Sequence, residues 1–128
     1  MSSSNVIATD QAPAAIGPYS QARVHGGLLY ISGQLPIDPS TGKFSSDDPA
    51  GQMRQCLANV QAIAEAAGTS MTHCLKTTVL VTDLSRFADI NAAYGQMFTA
   101  PYPARATYQV VALPLGAQIE VEAVIAII

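Results

Sequence analysis

Arg105 is the residue whose chemistry has to be explained first. It is the one charged side chain in Pro103-Ala104-Arg105-Ala106-Thr107-Tyr108-Gln109-Val110-Val111, and from Ile90 onward the only others are Glu120 and Glu122. A guanidinium is always ionised and presents a planar fork of donors, so keeping it among Val, Ala and Tyr is costly unless an anion meets it; a carboxylate does so with two parallel hydrogen bonds. That anion is either internal, Glu120 or Glu122, or it belongs to a ligand. Cys56 and Cys74 lack the spacing of metal ligands, and His73 beside Cys74 would point to the opposite face of a strand. Both thiols are expected to be reduced and in or near the core, and no metal site is expected.

The elements that must carry these residues are legible in the periodicity. Asp47-Asp48-Pro49 offers a carboxylate cap and a proline at the first turn, after which Met53, Cys56, Leu57, Val60, Ile63, Ala64 and Ala67 recur at helical spacing until Gly68. A second helix is expected from near Asp83, with Phe87, Ile90, Tyr94, Met97 and Phe98 as its apolar stripe, ending before Pro101 and Pro103. Asn91 lies on the side of that stripe, either capping a neighbouring backbone group or facing a pocket. Strands are expected over about Ser20–Val24, Leu28–Ser32, Cys74–Thr82, Arg105–Leu113 and Gln118–Ile127, with a weaker one from Val6 and with Gly26-Gly27 as a hairpin turn. The order of elements predicts an α+β domain with both helices on one face of a mixed sheet.

Pro114-Leu115-Gly116-Ala117 separates the last two strands and reads as a hairpin connection. Pairing Leu113 with Gln118 would set Val111 opposite Glu120 and place Arg105, Thr107, Gln109, Glu120 and Glu122 on one sheet face. Arg105 would then lie six positions from Val111, roughly 20 Å at ~3.3 Å per residue, too far to touch Glu120 within one chain. That separation weighs against an internal ion pair and favours a pocket assembled between subunits.

Residues 1–128 are expected to form one domain. Hydrophobic residues make up 49% and charged residues 12% of the chain, about half the usual charged share of roughly 25%. So much apolar surface predicts a homo-oligomer. The basic residues are scattered and the net charge is −3, so no cationic stripe exists to displace counterions from a phosphate backbone, and nucleic acid is not an expected partner. Met1-Ser2-Ser3-Ser4-Asn5 has no basic or apolar signal character, and the apolar run Ala123–Ile128 is far short of the ~20 residues of a membrane helix. A soluble, cytoplasmic protein without a membrane partner is expected.

Pro103-Ala104-Arg105 through Leu113-Pro114, then Ile119-Glu120-Val121-Glu122-Ala123, resemble the C-terminal signature of the reactive intermediate deaminase A family. Ala12-Pro13-Ala14-Ala15-Ile16-Gly17-Pro18-Tyr19-Ser20-Gln21, Ile31-Ser32-Gly33-Gln34, Asn59-Val60, Lys76-Thr77-Thr78-Val79 and Phe87-Ala88-Asp89-Ile90-Asn91 resemble further segments of it in the same order. The resemblance implies a chorismate-mutase-like fold of the bacillus type, assembled as a homotrimer with clefts between subunits. It also implies hydrolysis of 2-imino acids and their enamine tautomers, such as 2-iminobutanoate and 2-iminopropanoate, to 2-oxo acids and ammonia without metal or organic cofactor. Such intermediates are released by pyridoxal-phosphate-dependent dehydratases. By the same resemblance Arg105 binds the substrate carboxylate, Glu120 positions or activates water, and Tyr19, Ser32, Gly33, Asn91 and Thr107 line the cleft. One cation for orientation and one carboxylate beside a water suffice for this chemistry. Many relatives carry cysteine in place of Thr107, and Val111 is bulkier than is common there. The competing functions are a non-catalytic carboxylate-binding regulatory module, which would not need Glu120, and a ribonuclease or translation inhibitor, which the acidic balance opposes.

Overall fold

The computed structural model describes residues 5–128; Met1 to Ser4, the start of the serine-rich stretch read above, lie outside the described residues. The strands are β1 (Val6–Ile7), β2 (Ala22–His25), β3 (Leu28–Gln34), β4 (Ile37–Asp38), β5 (Lys43–Phe44), β6 (Cys74–Val81), β7 (Ala104–Gln109) and β8 (Ile119–Ala126), and the helices are α1 (Pro49–Ala66) and α2 (Phe87–Gly95). Six strands form one sheet in the order β1-β2-β3-β8-β6-β7, while β4 and β5 form a separate small hairpin that the sequence did not announce. Only β6 and β7 run parallel; the other pairs in the sheet are antiparallel.

Local chemistry explains the boundaries. The Asp48 carboxylate accepts from the amides of Ala50 and Gly51 at 3.1 and 3.3 Å, satisfying two of the donors that a helix start leaves open, with Pro49 at the first helical position. Gly68 follows the end of α1 with φ +82°, a conformation glycine adopts without strain. Gly26 and Gly27 both have positive φ, 60° and 76°, as a two-residue turn matching the strand twist requires. The second helix starts later than expected: Asp83 caps a short 3-10 turn, Leu84–Arg86, by accepting from Ser85, and α2 follows from Phe87.

Both helices cover one face of the sheet. Leu29, Ile31, Val79, Val81, Ile119 and Val121 from the strands meet Met53, Leu57, Val60 and Ile63 of α1 and Ile90 and Tyr94 of α2, all buried. A fully buried Leu or Ile of this kind contributes about 1.5–3 kcal/mol. Cys56 and Cys74 are free and buried, and burial pushes both thiols up, Cys74 to about 11.

The terminal hairpin is a correction. β7 does not pair with β8: it lies beside β6 at the sheet edge, reached through α2, while β8 inserts between β3 and β6. The register sets Thr77 opposite Arg105, Val79 opposite Thr107 and Val81 opposite Gln109, whereas Leu80 is opposite Glu120 and Thr78 opposite Glu122. Alternation therefore puts Arg105, Thr107 and Gln109 on the helix side and Glu120 and Glu122 on the open side. The shared polar face expected from the hairpin does not exist.

Candidate active site

The residues singled out in the sequence divide into two groups. The first is built on β7 and α2. Arg105 Nη1 donates to Asn91 Oδ1 at 2.7 Å, and its guanidinium lies over the rings of Tyr94 and Phe87, 4.8 and 5.4 Å from their centroids. Phe87, Asn91 and Tyr94 follow each other at i, i+4 and i+7 on α2, one helical face. A cavity of about 370 Å³ opens between Asn91, Tyr94, Tyr102, Pro103 and Arg105. Among the described residues the ion pairs are those of Arg86 with Asp48 and Asp89; Arg105 meets neither Glu120 nor Glu122. This removes the internal ion pair as its explanation within one chain. Thr107 Oγ1, two residues along the same face, is buried with no hydrogen-bond partner among the described residues.

The second group surrounds Glu120 on the other side of the sheet. The β3–β8 register shifts between Ile31 and Gln34, so Ser32 and Gly33 lie in an irregular stretch of the kind that re-aims side chains. Gly33 gives room to the carboxylate: a Cβ placed there would fall 2.9 Å from Cδ of Glu120 and closer still to Oε2. Partial burial holds the Glu120 carboxyl above its usual range, and the neighbouring Glu122 charge adds to that. Ser32 donates its hydroxyl to the carbonyl of Ser20 at 2.6 Å, and its amide bonds Gln21 O at 2.9 Å, tying the bulge to the segment that presents Tyr19. Gln21, itself buried, anchors that segment by accepting from Thr9 N and donating to the carbonyls of Thr9 and Pro13. Tyr19 and Gly33 line a largely apolar cavity of about 470 Å³, shared with Leu35, Ile37 and Leu115.

Arg105 and Asn91 thus meet, with Thr107 further along the same face, whereas Glu120 lies against Gly33 on the opposite face; Ser32 adjoins Gly33 in the chain, and Tyr19 shares with Gly33 a cavity that Glu120 does not line. The conclusion that Arg105 and Glu120 do not touch within a protomer stands for a different reason from the one expected: opposite faces with β6 between, rather than distance along a hairpin. The rings of Phe87 and Tyr94 beneath Arg105 were read only as core stripe; their helical spacing with Asn91 was the available signal. Leu115, at a left-handed φ of 61° and exposed over the larger cavity, gave no signal at all. Among the described residues the histidines and cysteines form no cluster of three or more metal-ligating groups, and no helix is long and apolar enough to cross a membrane.

Comparison with known proteins identifies the lineage. The family model described as Endoribonuclease L-PSP matches residues 9–127. The chain is 60% identical over 121 residues to the RutC family protein y4sK of Sinorhizobium fredii, covering 94% of this chain and 96% of that one. It is 50% identical over 119 residues to the 2-iminobutanoate/2-iminopropanoate deaminase of Homo sapiens, covering 93% of this chain and 87% of that one. The crystal structure of RidA from an Antarctic Psychrobacter superimposes with a TM-score of 0.92 at 46% identity, over 95% of this chain and 98% of that one. The chain belongs to the endoribonuclease L-PSP family, within which it groups with the reactive intermediate deaminases A.

Proposed function

We propose that this protein hydrolyses 2-imino acids, and the enamines that tautomerise to them, in clefts between the subunits of a homotrimer, where Arg105 of one protomer faces Glu120 of the next. The observation that supports the reading is the division of the candidate residues, with Arg105 held by Asn91 and two rings on the helix side of the sheet and Glu120 against Gly33 on the open side. The name of the human relative, 2-iminobutanoate/2-iminopropanoate deaminase, supports the substrate class.

The geometry suits that reaction. Asn91 occupies one donor of Arg105 and the rings fix its plane, leaving the remaining N–H groups to bind the substrate carboxylate in a fork. Holding the carboxylate holds the adjacent C=N carbon. Glu120 takes a proton from water as its oxygen attacks the carbon of the protonated imine, giving a neutral carbinolamine, and then returns that proton to nitrogen. The C–N bond breaks, the hydroxyl proton passes to the Glu120 carboxylate, and ammonia accepts it to leave as ammonium beside the 2-oxo acid. A carboxyl held above its usual range is suited to both halves of this exchange.

The test is a coupled assay in which a pyridoxal-phosphate-dependent dehydratase generates 2-iminobutanoate and its disappearance is followed with and without this protein. Wild type should accelerate the loss; Glu120→Gln should reduce the acceleration by roughly 10²- to 10⁴-fold while still binding 2-oxobutanoate. Arg105→Lys, which keeps charge but loses the fork, should weaken that binding in calorimetry. Binding without turnover in wild type would instead favour a regulatory carboxylate sensor.

A further inference from the structure

We infer that Tyr94 is a positioning residue for Arg105, and that Thr77 fixes the ring that does the positioning. The inference rests on the carboxylate-binding role of Arg105 proposed above, and deepens it. Arg105 is exposed and sits on an edge strand, so only β6 supports its backbone. Such a side chain samples many rotamers unless something holds it. Three contacts do so: the Asn91 carbonyl at 2.7 Å, and the faces of Tyr94 and Phe87.

Of these, Tyr94 is the one that is itself locked. It is 5% exposed, its hydroxyl lies 2.8 Å from Thr77 Oγ1, and its ring packs on Phe98 with centroids 4.8 Å apart. Thr77 is completely buried and is the residue directly opposite Arg105 in the parallel β6–β7 pair. The same residue thus stands beside the arginine backbone on the sheet and pins the aromatic face under its guanidinium. A buried hydroxyl pair of this kind is costly to leave half-made, so the ring has one orientation. A cation over an aromatic face is held by the ring quadrupole without using any N–H donor. Tyr94 therefore restrains the guanidinium and leaves its fork free, which a carboxylate partner in the same place would not.

The experiment compares Tyr94→Phe, Tyr94→Leu and Tyr94→Met with wild type and with Arg105→Ala, using sedimentation and thermal melts to establish that each is folded. Two quantities are read: the ¹⁵N order parameter of the Arg105 Nε–H in the ligand-free protein, and the dissociation constant of 2-oxobutanoate. Phe keeps the ring but loses its tie to Thr77, so the order parameter and the affinity should both fall between those of wild type and Leu. Leu and Met remove the aromatic face, Met with more of the volume kept. Each should lower the order parameter and weaken 2-oxobutanoate by roughly 2- to 30-fold, the span of a cation–π contact, with KM for the imino acid rising more than kcat falls. Replacing the hydroxyl pair together, Thr77→Val with Tyr94→Phe, should restore the melting temperature lost in either single variant. Unchanged order and unchanged affinity in a folded Leu or Met variant would overturn the inference. Arg105→Ala distinguishes its failure from that of the function: if that variant binds 2-oxobutanoate as tightly as wild type while Tyr94→Leu still loosens the guanidinium, the positioning holds and the carboxylate role of Arg105 is wrong.

Discussion

Gly33 and the Glu120 carboxylate occupy a space that only a hydrogen can share. Gly33→Ala should therefore displace the carboxylate and lower imine turnover at least tenfold in the coupled assay, with no change in sedimentation. The state of Glu120 has a second consequence, through pH. Its carboxyl is held above its usual range, chiefly by burial and then by Glu122. The base form is accordingly lost as pH falls through that raised value, and kcat/KM should decline on the acid side earlier than an ordinary carboxylate would dictate. The linked effect on stability has the opposite sense: folding favours the protonated form, so its contribution is complete below the unfolded-state value and is lost as pH rises through the folded one. Glu120→Gln should match wild type in melting temperature near pH 4 and exceed it near pH 7, a stability gained where function is lost. Arg105 and Glu120 stood out in the sequence because charge is so scarce around them. The raised carboxyl did not, because its chief cause is burial by the tertiary structure, which leaves no periodic mark in the sequence.

The first turn of α1 is stabilised from the side chain that precedes it. Asp48→Ala should cost about 0.5–2 kcal/mol in chemical denaturation, while Asp48→Asn keeps most of the cap. The exposed pairing of Asp48 with Arg86 should add little to either value. This helix was legible almost to the residue, because cap, proline, apolar period and glycine stop all agree. The Gly26-Gly27 hairpin was legible for the same reason. The partners of β7 and β8 were not: Pro114-Leu115-Gly116-Ala117 has the composition of a hairpin turn, yet those residues make a 3-10 turn with Leu115 left-handed, and the chain moves away from β7. What decides the pairing is non-local. β8 has core residues at every second position, Ile119, Val121, Ala123 and Ile125, and hydrogen-bonds strands on both sides, whereas β7 is exposed over most of its length, as an edge strand can be. Alternation within each strand was read correctly; pairing β7 with β8 instead of β6 is what put Arg105 on the face of Glu120.

For the whole molecule, the open face of the sheet carries Tyr30 and Tyr108 beside Glu120 and Glu122, with Tyr30 and Tyr108 each about half exposed. Association through that face would bury them, and the two half-sites of different protomers would meet where the β7 edge of one protomer, which carries Arg105, reaches the open face of the next. Sedimentation equilibrium should give three times the 13.3 kDa chain mass, and a stable monomer at micromolar concentration would remove the shared cleft. The position of β8 also dictates an order of assembly. Neither β3 nor β6 hydrogen-bonds the other; β1-β2-β3 on one side and β6-β7 on the other are joined through Ile119–Ala126 of β8. During synthesis the stretch from Leu28 of β3 to Gln109 of β7 must therefore remain without a completed sheet until the strand that joins its parts has been made, the slow non-local closure that exposes a growing chain to misassociation. Glu120 lies on that joining strand, so the proposed catalytic base and the backbone that completes the sheet arrive in the same step.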